Sequence, residues 1–200
     1  MPGWTSTKTI KRPRAGAWVR PAKPLVFALC LLPAFLLVWR LFAGRLGANP
    51  IEAVTHATGD WTMRFLLITL AVTPARETLR MPELARFRRM LGLFAFFYGC
   101  LHLATYLWLD QFFDWGAIVK DIAKRPFITA GFAGFALLVP LAATSTAGWI
   151  RRLGGRRWRM LHRLGYAAAA AGVVHYWWLV KSDIRMPALY GAILAVLLRS

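Results

Sequence analysis

Acidic residues are scarce in this chain. Eight Asp and Glu stand against 26 Lys and Arg, which leaves a net charge of +18 over 200 residues. Cysteine is scarcer still. Cys30 and Cys100 form no CxxC and both lie inside apolar runs, which argues against a disulfide framework or a thiolate zinc site. Two thiols packing as small apolar side chains account for them. A glycine-rich dinucleotide fingerprint is also missing, so the chain has no means of drawing hydride from a nicotinamide by itself. There is no internal repeat, and the only compositional tract is the alanine run 167–171. What is abundant is apolar residue, at 58%. A soluble core of this size cannot hide so much apolar surface. The charge falls between the long apolar runs and not along their faces, as in a chain solvated by lipid. So strong a positive charge could suggest nucleic acid, but basic residues confined to short loops between spans argue against that partner.

Six apolar spans are expected, at about 25–44, 61–74, 90–109, 126–144, 159–180 and 186–199. A crossing helix needs roughly 17–25 residues, so the second should begin earlier, near Glu52, and the sixth should borrow residues 182–185. The first span resembles a secretory signal at a glance, but its apolar run from Leu25 to Phe42 is too long and no small-x-small site follows. It is read as a membrane helix. Positive charge alternates between the connecting segments. Residues 1–24, 75–89 and 145–159 together with Arg199 hold seventeen Lys and Arg, whereas the alternate segments hold six. That bias places both termini in the cytoplasm. The expected fold class is therefore an all-α, six-helix transmembrane bundle, with a basic cytoplasmic segment over 1–24 and one membrane domain over 25–200. Trp108, Trp115, Trp177 and Trp178 cluster near the outer ends of spans three and five, where interfacial anchoring explains them.

Four histidines stand out, because ligating side chains within a bilayer are costly and need a reason. His102 lies thirteen residues beyond Arg89, about 20 Å above the inner interface. His175 lies sixteen beyond Arg159, about 24 Å above it. Both spans run from inside to outside, so the two imidazoles fall at similar depth and can share one metal, as in bundle cores that hold heme. Gly99 and Gly172 each precede a histidine by three residues, which would clear space for a flat macrocycle. Close helix packing through small residues is the competing explanation. A zinc or copper ion would want further ligands that no Cys, Asp, Glu or Met is placed to supply. His162, near the inner end of span five, sits about 140° around an ideal helix from His175. It can ligate a second heme, hold with Arg163 a propionate, a flavin phosphate or a quinone carbonyl, or simply be solvated at the interface. His56 reads as a solvated loop residue near the outer face, and Arg64 as an i,i+4 partner of Asp60.

Several stretches carry a family resemblance. They are Arg89-Met90-Leu91-Gly92-Leu93 leading to His102-Leu103-Ala104-Thr105-Tyr106, Leu70-Ala71-Val72-Thr73-Pro74, and Asp121-Ile122-Ala123-Lys124-Arg125-Pro126. The most specific is Arg157-Trp158-Arg159-Met160-Leu161-His162-Arg163-Leu164-Gly165-Tyr166, continued by His175-Tyr176-Trp177-Trp178-Leu179-Val180-Lys181. Together, over about residues 52–199, they resemble the heme-binding membrane subunits of the periplasmic methionine sulfoxide reductase system. The resemblance implies the six-helix ferric-reductase-like fold in a bacterial inner membrane, b-type heme, and an associated FMN. It places the family's heme-iron ligands at His102, His162 and His175. It also implies that electrons come from the quinol pool or a cytoplasmic flavin reductase. They would leave to a periplasmic molybdopterin-dependent enzyme that repairs oxidised methionine in envelope proteins. The wider fold often carries two histidines on its third helix, and this chain has one there.

The expected role is thus a wire between partners, with no catalytic residue for methionine sulfoxide itself. Two other readings stay open on the residues alone: a stand-alone ferric or quinone reductase, and a non-redox scaffold or transporter in which the histidines pack or relay protons. Intramembrane acids, which a proton pathway would favour, are almost absent.

Overall fold

Every regular element among the described residues is helical. The computed structural model describes residues 17–180 and 182–199. Lys8, Lys11, Arg12 and Arg14 of the basic N-terminal segment, and Lys181, lie outside the described residues. In chain order the helices are α1 (Val19–Phe42), α2 (Pro50–Thr78), α3 (Ala85–Ala104), α4 (Trp115–Lys124), α5 (Pro126–Ala143), α6 (Ala147–His162), α7 (Leu164–Leu179) and α8 (Arg185–Arg199). A short 3-10 turn (Pro82–Leu84) leads into α3, and a π-helical turn (Thr105–Asp110) continues it.

Three of these segments are long and apolar enough to cross a membrane: Val19–Phe42, Pro82–Asp110 and Pro126–Ala143. The helix α2 has the length but carries Glu52, Asp60, Arg64, Arg76 and Glu77. The helices α7 and α8 are apolar but only 16 and 15 residues long. Local chemistry sets the ends. Asn49 accepts the Glu52 N–H at 3.2 Å, with Pro50 in the first turn of α2, which satisfies a donor that the helix leaves open. Asp114 and Thr146 do the same for α4 and α6, accepting from Ala117 N–H at 3.0 Å and Trp149 N–H at 3.3 Å.

The core lies between α2, α3, α5 and α7. Phe65, Leu66, Leu70, Phe94, Ala95, Tyr98, Ala168 and Ala169 are buried there. The alanine run lets α5 and α7 approach closely, since a Cβ on Gly134 would stand 3.3 Å from Ala171 Cβ and 3.5 Å from Ala168 O. Such small-residue seams replace hydrophobic driving force where the solvent is lipid. The helix α1 is mostly exposed; Val19 and Cys30 enter the core, Phe27 packs on Phe94, and Tyr98 ties it by hydrogen bonds. Tyr98 is fully buried, its hydroxyl donating to Cys30 O at 2.8 Å and accepting from Ala34 N at 3.0 Å. The hydroxyl is thereby inserted into the ladder of α1 beside Pro33, a known way to open a helix locally.

Two helices were not expected from the sequence. The stretch 145–159, read as a cytoplasmic loop, is mostly α6, and part of the outer connection is α4. Span five also changes: α6 ends at His162 and α7 begins at Leu164, so His162 and His175 belong to different helices. His56 sits in the second turn of α2, not in a loop, with Nε2 3.8 Å from Glu52. Cys30 is buried and Cys100 half-buried, both free.

Candidate functional site

The π-helical turn and the close α5–α7 seam frame two facing imidazoles. His102 projects from the end of α3 and His175 from the C-terminal half of α7. Their ring centroids are 6.0 Å apart with planes at 77°. Each ring is fixed by a main-chain carbonyl on a neighbouring helix. His102 Nδ1 donates to Thr55 O of α2 at 3.0 Å, and His175 Nδ1 donates to Phe127 O of α5 at 2.6 Å. A carbonyl oxygen only accepts, so in each neutral ring the proton sits on Nδ1 and the lone pair on Nε2. That is the tautomer a metal-binding histidine uses, and the carbonyl also fixes its orientation.

Bare backbone makes room for both rings. A Cβ on Gly59 of α2 would lie 3.1 Å from His102 Cε1, and one on Gly131 of α5 would lie 2.8 Å from His175 Nδ1. Gly99 and Gly172, singled out by the sequence, stand elsewhere. Gly99 faces Thr62, Phe135 and Leu138, and Gly172 faces the thioether of Met63. Those two glycines serve helix packing, and the clearance at the histidines comes from the partner helices.

The spacing of the pair would let both imidazoles hold one heme iron between them. Two metal–nitrogen bonds of about 2 Å, with a ring centre roughly 1 Å beyond each nitrogen, put the centroids about 6 Å apart. Among the described residues no group of three or more His, Cys, Asp or Glu gathers to hold an ion. A tetrahedral site would lack ligands, whereas heme, which would bring its own nitrogens, would ask only for these two residues. The third histidine of the sequence reading is not brought to this pair.

His162 closes α6 at the opposite end of the core. Its Nδ1 donates to Trp158 O at 3.0 Å, and its ring stacks on Trp158 with centroids 3.8 Å apart. Trp158 is in turn held by its indole N–H on Thr144 O at 3.0 Å. His162 Nε2 lies 3.4 Å from Ser145 Oγ and borders a cavity of about 60 Å³ lined also by Arg88, Gly92, Phe96 and Gly165. No histidine faces it there. Thr69, Ser145 and Arg88 are the other polar residues of the cavity lining, and the Arg88 guanidinium donates to Thr73 Oγ1 at 3.0 Å. Arg163 is exposed and does not line this cavity. Sequence reasoning counted Arg88 only as a topological charge; its place four residues before Gly92 on an apolar helix was the available signal.

Further along α2, Arg64 lies 3.3 Å from Asp60, as the i,i+4 spacing suggested, and also donates to Tyr190 Oη at 3.2 Å. It stands 4.8 Å from the centre of the Trp61 ring. This is a half-buried charge network within a bilayer-length helix.

Comparison with known proteins agrees with this architecture. A family described as "Ferric reductase like transmembrane component" matches residues 26–173. The chain is 54% identical to the protein-methionine-sulfoxide reductase heme-binding subunit MsrQ of Herminiimonas arsenicoxydans, covering 88% of this chain and 82% of that one. It is 57% identical to the subunit of the same name from Rhodospirillum rubrum (86% and 83%) and 53% identical to that of Caulobacter vibrioides (87% and 83%). The chain is therefore a helical membrane protein that belongs to the ferric-reductase-like transmembrane family, in its MsrQ branch.

Proposed function

We propose that this chain is the electron-carrying membrane subunit of a protein-methionine-sulfoxide reductase system, with b-type heme held between His102 and His175. The observation that carries the reading is the pair of facing imidazoles, each with Nδ1 donated to a carbonyl and Nε2 bare. The names of the relatives as heme-binding subunits support the same cofactor. When bound, heme supplies reversible one-electron iron chemistry. The chain's own residues do the positioning. Thr55 and Phe127 fix the ring tautomers, and Gly59 and Gly131 admit the rings.

His162 is the third candidate ligand, at the inner end, where Arg88 or Ser145 and not a histidine would face it. FMN is implied by the family resemblance. The 60 Å³ cavity beside His162 is too small for a flavin ring system as it stands, so no step is assigned to FMN here. Arg88 would suit the phosphate or the anionic ring of such a cofactor once the cavity widened.

The topology we favour has six crossings: α1, α2, α3 with its π-helical turn, α5, α7 and α8. It forms one domain over 25–200 behind a basic segment 1–24, with both termini in the cytoplasm of a bacterial inner membrane. The distribution of Lys and Arg supports it. The short helices α7 and α8 are accommodated by thinning of the bilayer and snorkelling of Arg185 and Arg199. Electrons enter from quinol or a cytoplasmic flavin reductase and leave at the His102–His175 end to a periplasmic molybdopterin reductase.

A reduced-minus-oxidised absorption spectrum of the detergent-purified protein tests the cofactor assignment. Sharp reduced bands of bis-histidine heme are expected. A colourless protein, even after heme is supplied during expression, would overturn it and favour a scaffold or transporter.

A further inference from the structure

No acidic residue stands between Asp121 and Asp183. Arg125 pairs with Asp121 itself, and six further arginines fall in that interval: Arg151, Arg152, Arg156, Arg157, Arg159 and Arg163. All six are exposed, and the ion pairs among the described residues involve none of them. Five belong to α6, a helix with no buried residue. So dense an uncompensated charge requires anions from outside the chain.

The form of α6 says which anions. It is tethered at both ends to the bundle: α5 stops three residues before it, and only Arg163 separates it from α7. Gly154, at φ 73°, breaks it into two pieces, 147–153 and 155–162. In the second piece, helical spacing puts Trp158, Leu161 and His162 on one side and Arg156, Arg159 and Met160 on the other. Trp158 and His162 are the stacked pair at the inner cavity, so the arginine side faces away from the bundle. In the first piece the Arg152 guanidinium stands 5.6 Å from the centre of the Trp149 ring. Together with Thr146, Gly148 and Arg151 they line an open hollow of about 490 Å³. Trp149 is 39% exposed and Met160 65% exposed. Arginines interleaved with an open tryptophan and methionine, on a helix held at the end of a membrane-length helix, describe a segment lying in a headgroup layer.

We propose that α6 is a binding site for anionic phospholipid, with Arg151, Arg152, Arg156 and Arg159 gripping headgroup phosphates while Trp149 and Met160 reach the acyl boundary. The inference is independent of the heme assignment. It gives the bilayer a role in seating the piece of α6 that carries Trp158 and His162.

The test is native mass spectrometry of the full chain in mild detergent, titrated with phosphatidylglycerol or with phosphatidylcholine of the same acyl chains. The wild-type protein should retain phosphatidylglycerol selectively. Replacing the four arginines by glutamine should weaken that retention roughly tenfold or more, because each cation near an anionic surface contributes appreciably. Replacing them by lysine should preserve most of it. Inorganic phosphate in excess should not displace the lipid. Equal retention of the two lipids by the wild-type protein would overturn the proposal, whatever the variants do. So would undiminished retention in a glutamine variant with native elution and circular dichroism, or displacement by free phosphate, which would mark a simple anion site.

Discussion

Adding one methyl group at Gly131 is the sharpest perturbation the histidine pair offers. The new Cβ would lie 2.8 Å from His175 Nδ1 and 3.0 Å from its Cε1. An ordinary contact needs about 3.5 Å or more between such atoms, so the ring must retreat by roughly 0.7 Å. It cannot do so freely, because the 2.6 Å hydrogen bond to Phe127 O ties it to the same helix, α5. Overpacking of this kind costs about 1–3 kcal/mol, and here the cost is taken by a proposed iron ligand. Gly59→Ala is a milder version, since its Cβ meets His102 at 3.1–3.2 Å and a few tenths of an ångström suffice. Two controls separate ligand displacement from general crowding. Gly99→Ala makes only contacts of 3.6–3.7 Å and should be silent. Gly172→Ala would come within 2.5 Å of Met63 Sδ, but that thioether sits on a flexible side chain that can swing away. The assay is the heme-to-protein ratio and the low-spin absorption bands of each purified variant. The expected order of loss is Gly131→Ala, then Gly59→Ala, with both controls near wild type. A full wild-type spectrum in Gly131→Ala, or a larger loss in Gly99→Ala, would refute the reasoning.

Other outcomes follow from the same contacts. His102→Ala or His175→Ala should remove most low-spin heme while His162→Ala removes less, read from the same spectra. Tyr98→Phe should destabilise the bundle by about 1–2 kcal/mol, because Cys30 O and Ala34 N lose the hydroxyl that joins α1 to α3; thermal unfolding in detergent with a tryptophan readout measures it. Trp158→Ala should free the His162 ring, and Trp158→Phe should keep the stacking but lose the bond to Thr144 O. The imidazole proton resonances of His162 should therefore shift strongly in the first variant and weakly in the second.

That His102 and His175 come together could be read from the sequence because it needs only residue counts along the two spans. For His102 the count was sound, since α3 runs unbroken from Ala85 to Ala104. For His175 the count runs across two helices. Residues 159–162 belong to α6, and from Leu164 the rise to His175 is about 17 Å. The chain break at Arg163 has no proline or glycine of its own to announce it. The helix α6 was hidden because its arginines look like a loop in hydropathy, although arginine is a good helix former. The glycines at the rings were missed for a physical reason. An imidazole projects from its helix towards neighbours, so the clearance it needs is made on α2 and α5, and one sequence without contacts does not link residue 59 to 102 or 131 to 175. Arg88 was overlooked because a basic residue at a span end is ordinarily topological. The histidine pairing, by contrast, depended on two residues being costly to bury, which composition alone makes conspicuous.

Electron passage through the His102–His175 site is the central claim, and liposomes test it most directly. The purified protein is reconstituted into vesicles with ferricyanide trapped inside, and a reduced quinol or reduced flavin is supplied outside. The account predicts that the trapped acceptor is reduced with the wild-type protein and that His102→Ala and His175→Ala each abolish the reaction. Reduction at an undiminished rate in either variant, or none with heme-loaded wild-type protein, would contradict it.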